Sequence, residues 1–303
     1  MKNDTLILGA GASISPHIEI GAFEALWSNG ISSFKQLRDK MEHENVKFVS
    51  KLIPDETANK CYLKTIETLK NSGIENFNIR IDGTADYPEK LKDAEYPLVL
   101  FYFMGNWNLV YSKSVAVVGT RKPTEEGKER TRKLVKKLVE LDYTIVSGLA
   151  TGIDTIAHKT TLENNGMAIG VIGTPLSHSY PKENKELQAS IAKNHLLISQ
   201  VPVLRYDNND WRVNRFYFPE RNKTMSAISE ATIIVEAGET SGTLIQAKAA
   251  LKQGRKLFIL NNNFENPNLT WPRKFEKQGA IRVREFEDIE KELIDSSHLI
   301  NQN

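Results

Sequence analysis

Four short stretches concentrate the groups in this chain that could hold an anion. They are Gly119-Thr120-Arg121, Ser147-Gly148-Leu149-Ala150-Thr151-Gly152, Tyr180-Pro181-Lys182-Glu183-Asn184 and Glu236-Ala237-Gly238-Glu239-Thr240-Ser241-Gly242-Thr243. Glycine at a helix start frees backbone N–H groups from side-chain crowding, and such groups bind anions, phosphate above all. Thr120 and Arg121 add a hydroxyl and a guanidinium, which suits a phosphate bidentately. Ser241, Gly242 and Thr243 make a second cradle. Asp154 and His158, four apart after Gly152, share a helix face. Such a pair serves general-base chemistry or orients a loop through hydrogen bonds. No serine or cysteine nucleophile elbow accompanies it. There is no P-loop lysine motif either, so nucleoside triphosphate hydrolysis is not expected.

The elements that must position these stretches are visible beside them. Val115-Ala116-Val117-Val118, Thr144-Ile145-Val146, Ala168-Ile169-Gly170-Val171-Ile172 and Ala231-Thr232-Ile233-Ile234-Val235 are short apolar runs, rich in β-branched residues. Runs of about five residues separated by helical patterns of roughly 10–15 read as βαβ units in a parallel sheet. Ligands of such sheets sit outside the carboxyl ends of the strands, so the junctions should converge on one surface.

At 303 residues, 40% apolar and 26% charged, the chain has the make-up of a soluble globular protein of one large or two ordinary domains. No apolar run approaches the ~20 residues that span a bilayer. Met1-Lys2-Asn3-Asp4 leads into no signal-peptide core, so a cytoplasmic protein away from membranes is expected. A lone Cys61 excludes an internal disulfide, and the six histidines lack metal-ligand spacing. Neither a metal nor another cofactor is expected. With a net charge of +2, any nucleic-acid role rests on local clusters. Lys128, Arg130, Arg132, Lys133, Lys136 and Lys137 share one helix, as a solvated face or a contact to a nucleic-acid backbone. Arg212, Arg215, Arg221 and Lys223 crowd one predicted loop.

Residues 5–14 look like a dinucleotide fingerprint but lack its third glycine and a second strand at βαβ spacing; a turn entering a small helical domain fits better. Ile20, Phe23, Leu26 and Trp27 recur at helical spacing, and residues 44–72 add one or two helices. A boundary near residue 75 divides a helical N-terminal domain, 1–75, from an α/β body, 76–303. Residues 77–110 read as a hairpin extending the sheet of that body. Thr124 is a fair N-cap for the basic helix, with Glu125 and Glu126 in its first turn. Val201–Pro219 reads as a long functional loop with Trp211, Phe216, Tyr217 and Phe218 beside Arg212 and Arg215. Its aromatics either stack on bases or pin the loop to the core. The tail from Asp295 to Asn303 is too short for another domain.

Val118–Arg121, Ser147–His158, Tyr180–Asn184, Phe218–Asn222 and Val235–Thr243, five motifs in order, closely resemble the DprA/Smf family, the DNA-processing protein A group. The likeness covers about residues 77–265, and Asp86-Tyr87-Pro88 and Pro97–Gly105 look like that family's lead-in. It implies a Rossmann-like, doubly wound, mainly parallel α/β sheet. It also implies a non-enzymatic protein that binds single-stranded DNA, protects incoming strands and helps load a RecA-type recombinase in natural transformation and related recombination. A homodimer is expected. Residue by residue, Arg121 matches the family's phosphate-binding arginine and Lys182 the basic position of its Tyr-Pro-x-x-Asn loop. Arg221, Asn222 and Lys223 match its Phe-Pro-x-Arg-Asn-Arg segment, and Gly148, Gly152, Ser241 and Gly242 line the pocket. The expected DNA- and phosphate-binding set is Gly119, Thr120, Arg121, Ser147, Gly148, Gly152, Lys182, Asn184, Arg215, Arg221, Asn222, Lys223, Ser241, Gly242 and Thr243. Asp154, His158 and Glu236 orient it; no residue is assigned to catalysis or to a metal.

The chain also departs from the family. Thr120 stands for a serine, and Ser199-Gln200-Val201-Pro202 replaces an acid-containing Ser-Glu-x-Pro. No C-terminal winged-helix extension is expected, and the N-terminal region is only loosely like the family's sterile-alpha-motif-like domain. Transformation, general recombination and mobile-element or defence-linked DNA handling therefore all stay open. A nucleotide-ligand sensor or enzyme is the alternative, kept alive by Glu236 and Glu239 beside Gly242-Thr243. The aromatic-basic stretch 211–223 favours DNA, since a small nucleotide would not need it.

Overall fold

A computed structural model describes residues 6–7 and 13–300, with side chains for 14–293. The Gly9-Ala10-Gly11 turn of the fingerprint-like segment and residues 301–303 lie outside the described residues. In chain order the elements are β1 (Leu6–Ile7), β2 (Ser13–Ile14), α1 (Pro16–Ser28), α2 (Phe34–His43), α3 (Asp55–Asn71), β3 (Asn78–Ile81), β4 (Leu100–Gly105) and β5 (Ser114–Val118). There follow α4 (Glu125–Glu140), β6 (Thr144–Ser147), α5 (Ile153–Glu163), β7 (Ala168–Ile172), α6 (Lys185–Asn194), β8 (Leu196–Ser199), α7 (Val203–Asn208), α8 (Trp211–Asn214) and α9 (Tyr217–Ile228). The chain continues with β9 (Ala231–Ile234), α10 (Thr243–Lys252), β10 (Lys256–Leu260), α11 (Asn262–Glu265), α12 (Trp271–Glu276), β11 (Ile281–Val283) and α13 (Glu287–Ile300).

Two compact units form, each from two separated segments: residues up to Tyr111 with Ile169–Thr224, and Ser112–Ala168 with Met225 onward. In the second unit five strands run in the order β11-β10-β9-β5-β6, every neighbouring pair parallel. Val115, Val117, Ile145, Ile233 and Phe258 from the strands meet Leu134, Val135 and Leu138 of α4, Ile153 and Ala157 of α5, and Ile289 of α13. Strands apolar on both faces require such cover, which is why they read as unbroken apolar runs. Thr124 caps α4 as expected, its Oγ1 accepting from the Gly127 N–H at 3.0 Å.

In the first unit β7 and β8 are parallel, and β4 and β3 extend them antiparallel, in the order β7-β8-β4-β3. The Rossmann-like, mainly parallel α/β class expected from the sequence is the class observed, with 77–110 supplying the antiparallel edge. α1 lies against α3 and α7. Its Phe23 meets Tyr102 of β4 edge-on at 6.5 Å, and its Trp27 lies 6.0 Å from Tyr217 of α9. Fully buried Glu24 accepts from the Tyr102 hydroxyl at 2.5 Å and from the Val203 and Leu204 N–H groups at 2.9 Å. A carboxyl group from α1 thus caps α7.

Val201–Pro219, expected as a loop, folds instead into α7, α8 and the start of α9. Its aromatics supply the reason. Tyr217 is buried among Trp27, Phe34 and Tyr206, and Phe216 stacks on Phe34 at 6.3 Å. Asp210 caps α8 by accepting from the Arg212 N–H at 2.7 Å.

Candidate functional site

In the second unit β5 is the hinge of the topology. The chain passes from β5 to β6 on one side and later returns at β9 on the other, so the order reverses beside β5. That switch point is where open α/β sheets place their ligands. The carboxyl ends of β5, β6 and β9 carry Gly119–Arg121, Gly148–Gly152 and Glu236–Thr243, three of the four stretches singled out above. They are tied together by backbone hydrogen bonds. The Thr120 N–H donates to the Glu236 carbonyl at 2.7 Å and the Ile153 N–H to the Thr120 carbonyl at 3.2 Å. The Thr243 hydroxyl donates to the Gly119 carbonyl at 3.3 Å.

Two glycines make this closeness possible. A Cβ on Gly119 would lie 2.6 Å from Ile153 and 2.7 Å from the Glu236 carbonyl. Gly152 has φ +81°, and a Cβ there would stand 2.4 Å from the Thr120 oxygen. Ser147 is buried and donates to the Val117 carbonyl at 2.8 Å, so it braces β6 against β5. Ser241 accepts from the Thr243 N–H at 3.2 Å as α10 begins, with Gly242 exposed beside it. Arg121 is exposed at the rim.

The acids in this region hold backbone. Buried Asp154 accepts from the Gly148 N–H at 3.2 Å, and buried His158 lies one turn further along α5. Glu236 accepts from the Thr124 hydroxyl at 2.8 Å and from the Thr124 N–H at 3.2 Å, joining the end of β9 to the start of α4. The hydroxyl and N–H of Thr270 hold the Glu239 carboxyl below its ordinary value. An open cleft of about 390 Å³ at this edge is lined by Thr120, Arg130, Glu236, Gly238, Asn262 and Asn263 among others. Asn263 is not among the residues that the sequence singles out. Its Oδ1 accepts from the Ala237 N–H at 3.0 Å, and its Nδ2 donates to the Val235 and Leu260 carbonyls at 3.0 Å. It therefore fixes the ends of β9 and β10, and the only signal was its place in an asparagine run just past a strand. The basic face of α4 is laced with ion pairs: Lys128 to Glu125 at 2.6 Å, Arg132 to Glu129 at 3.5 Å and Lys137 to Glu287 at 3.6 Å. Exposed pairs of this kind contribute little to stability.

In the first unit the Tyr180–Asn184 stretch ends in a single 3-10 turn at Lys182–Asn184, with Lys182 exposed and Asn184 buried. Tyr180 packs on Phe218 at 5.4 Å. Arg221 and Lys223, expected on a loop, lie on α9. Arg221 is only 4% exposed; its Nη1 donates to the Val171 carbonyl at 2.7 Å and its Nε to Asn222 Oδ1 at 3.0 Å. Lys223 pairs with Glu220 at 2.6 Å. Exposed Arg215 sits 5.4 Å from the centre of the Trp211 ring. Gln200 is buried and accepts from the Thr224 hydroxyl at 2.5 Å, a bond that needs no charge. Among the described residues no group of His, Cys, Asp or Glu could hold a metal ion, and no helix is long and apolar enough to cross a membrane.

Comparison with known proteins gives a consistent picture. The family model described as DNA recombination-mediator protein A matches residues 78–294. The DNA processing protein DprA of Bacillus subtilis is 34% identical over 231 residues, 76% of this chain and 75% of that protein. Protein Smf of Escherichia coli is 37% identical over 207 residues, 68% of this chain but 54% of its own length. Among solved structures, DprA from Streptococcus pneumoniae superposes with a TM-score of 0.70 at 27% identity, over 90% of this chain and 97% of that one. DprA from Helicobacter pylori, described with its single-stranded DNA binding mode, gives 0.61 at 26% identity, over 73% and 97%.

Proposed function

This chain belongs to the DNA recombination-mediator protein A family, and from that premise we propose that it binds single-stranded DNA and acts as a recombination mediator without catalysing a reaction. The observation that carries the proposal is the cradle at the carboxyl ends of β5, β6 and β9, closed by Gly119 and Gly152 with Arg121 exposed at its rim. Backbone N–H groups at glycine-lined helix starts and an exposed guanidinium recognise phosphate. In the second unit Gly119, Thr120, Arg121, Gly148, Ser241, Gly242 and Thr243 are proposed to face the strand, and in the first unit Lys182, Arg215 and Lys223 are proposed to contact it. Ser147, Gly152, Asp154, His158 and Glu236 are proposed to shape the cradle of the second unit, and Asn184, Arg221 and Asn222 to brace the surface of the first unit.

The binding mode in the description of the Helicobacter pylori relative supports this reading. A RecA-type recombinase as partner, a homodimer, a cytoplasmic location and a division of labour between residues 1–75 and 76–303 belong to the same proposal. Natural transformation, general recombination or defence-linked DNA handling supplies the setting. The cleft beside Glu236 is large enough for a small ligand, so the test sets strands against monomers. Filter binding with single-stranded oligonucleotides and a panel of mononucleotides should show retention of the oligonucleotides alone. Tight binding of one mononucleotide with no oligonucleotide retained would move the assignment to a nucleotide sensor.

A further inference from the structure

Trp27, Trp107 and Trp271 are buried, whereas Trp211 is 62% exposed. One exposed apolar side chain means little alone. What distinguishes Trp211 is its mounting. It opens α8, whose start is capped by Asp210. Three residues on, Asn214 is buried and donates to the Tyr206 carbonyl at 2.9 Å. Behind it, Phe216 stacks on Phe34, and Tyr217 is enclosed by Trp27, Phe34 and Tyr206. The indole is therefore held outward on a segment fixed from behind. Arg215 brings a guanidinium 5.4 Å from the ring centre, and Arg212 adds a second exposed cation. Tyr180, 51% exposed and two residues from Lys182, packs on Phe218, whose N–H donates to the Arg215 carbonyl at 3.3 Å.

Phosphate contacts position a nucleic acid but do not report whether its bases are paired. An exposed ring does, because only an unpaired base can be splayed onto it. We propose that Trp211, with Arg215 at its face, is the base-stacking platform that gives this protein its preference for single over double strands. The inference rests on the DNA-binding reading above. Every base offers a π-face, so the platform tolerates sequence while excluding the duplex, and purines, with the larger face, bind better.

The four-tryptophan chain gives a direct readout, since only Trp211 is open to solvent. Fluorescence of the wild-type protein should be quenched by oligodeoxyadenylate and much less by a duplex of equal length. Trp211→Ala should weaken single-strand binding about 5- to 140-fold, the equivalent of ~1–3 kcal/mol of stacking at 1.4 kcal/mol per tenfold. Duplex binding, melting temperature and salt dependence should hold steady, and Trp211→Phe should restore most of the affinity. A strand with abasic sites should bind the wild type as weakly as the intact strand binds Trp211→Ala. Equal losses for single strand and duplex would overturn the platform, and so would an unchanged single-strand affinity. Unchanged DNA binding with lost self-association would assign Trp211 to a protein surface instead. A wild-type protein that retains no oligonucleotide would remove the DNA-binding reading itself, a different outcome from a variant that binds as well as wild type.

Discussion

Arg121 stands exposed beyond the end of β5, while the Arg221 guanidinium is buried with its Nη1 2.7 Å from the Val171 carbonyl. The two should fail differently. Each phosphate contact to a single strand contributes a slope of about −0.7 in log affinity against log salt. Arg121→Ala should weaken binding to all sequences alike and make the slope shallower by roughly one contact, with the melting temperature unchanged; Lys182→Ala should do the same. A fallen melting temperature with unchanged affinity and slope would mean that Arg121 holds a neighbouring loop. Arg221→Ala leaves a buried carbonyl without this donor, at a cost of about 1–3 kcal/mol. Thermal unfolding should show that loss before any change in salt slope; an unaltered melting temperature would exclude the bracing role.

At the level of elements, the junctions separate two uses of glycine. Gly152 has φ +81° and no room for a Cβ, whereas Gly242 has φ −59° and nothing within 4 Å of the added atom. Gly152→Ala should lower stability by about 1–3 kcal/mol and disturb the cradle with it. Gly242→Ala should keep or slightly raise the melting temperature. If a phosphate approaches that backbone, the variant should nevertheless lose oligonucleotide affinity, and unchanged retention would remove Gly242 from the interface. The strands and α4 were legible because Val115–Val118, Ala231–Val235 and the Thr124 cap write their roles locally. The helices between 203 and 214 were not. The cap of α7 is Glu24, nearly 180 residues earlier, and Tyr217 is recruited by Trp27 and Phe34. Sequence showed which residue types the cradle holds. It did not show that Arg221 turns inward or that Asn263 ties β9 to β10, because both depend on which carbonyls the fold brings near.

For the molecule as a whole, Glu24 couples pH to stability. Burial pushes its carboxyl up to about 7 from the ordinary 4.5, against the lowering effect of the Tyr102, Val203 and Leu204 hydrogen bonds and aided by nearby Asp207. A carboxyl whose folded value is raised contributes stability that is complete below about 4.5 and is lost as pH climbs through about 7, by at most ~1.4 kcal/mol per pH unit. Glu24→Gln cannot ionise, so the wild type should lose melting temperature relative to this variant between about pH 4.5 and 7. Parallel curves would show that Glu24 does not titrate there. Interleaving of the two units has a consequence of another kind. Residues up to Tyr111 share their unit with Ile169–Thr224, and apolar β4 has β3 on one edge but needs β8, Leu196–Ser199, on the other. On the ribosome β8 arrives roughly 90 residues after β4, about 5–20 s later at ordinary synthesis rates. Through that interval the nascent chain carries Leu100-Phe101-Tyr102-Phe103 with an open edge, the kind of surface that pairs with neighbouring polypeptides or is held by a chaperone. The pace of translation through residues 106–195 thus sets how long that edge stands open.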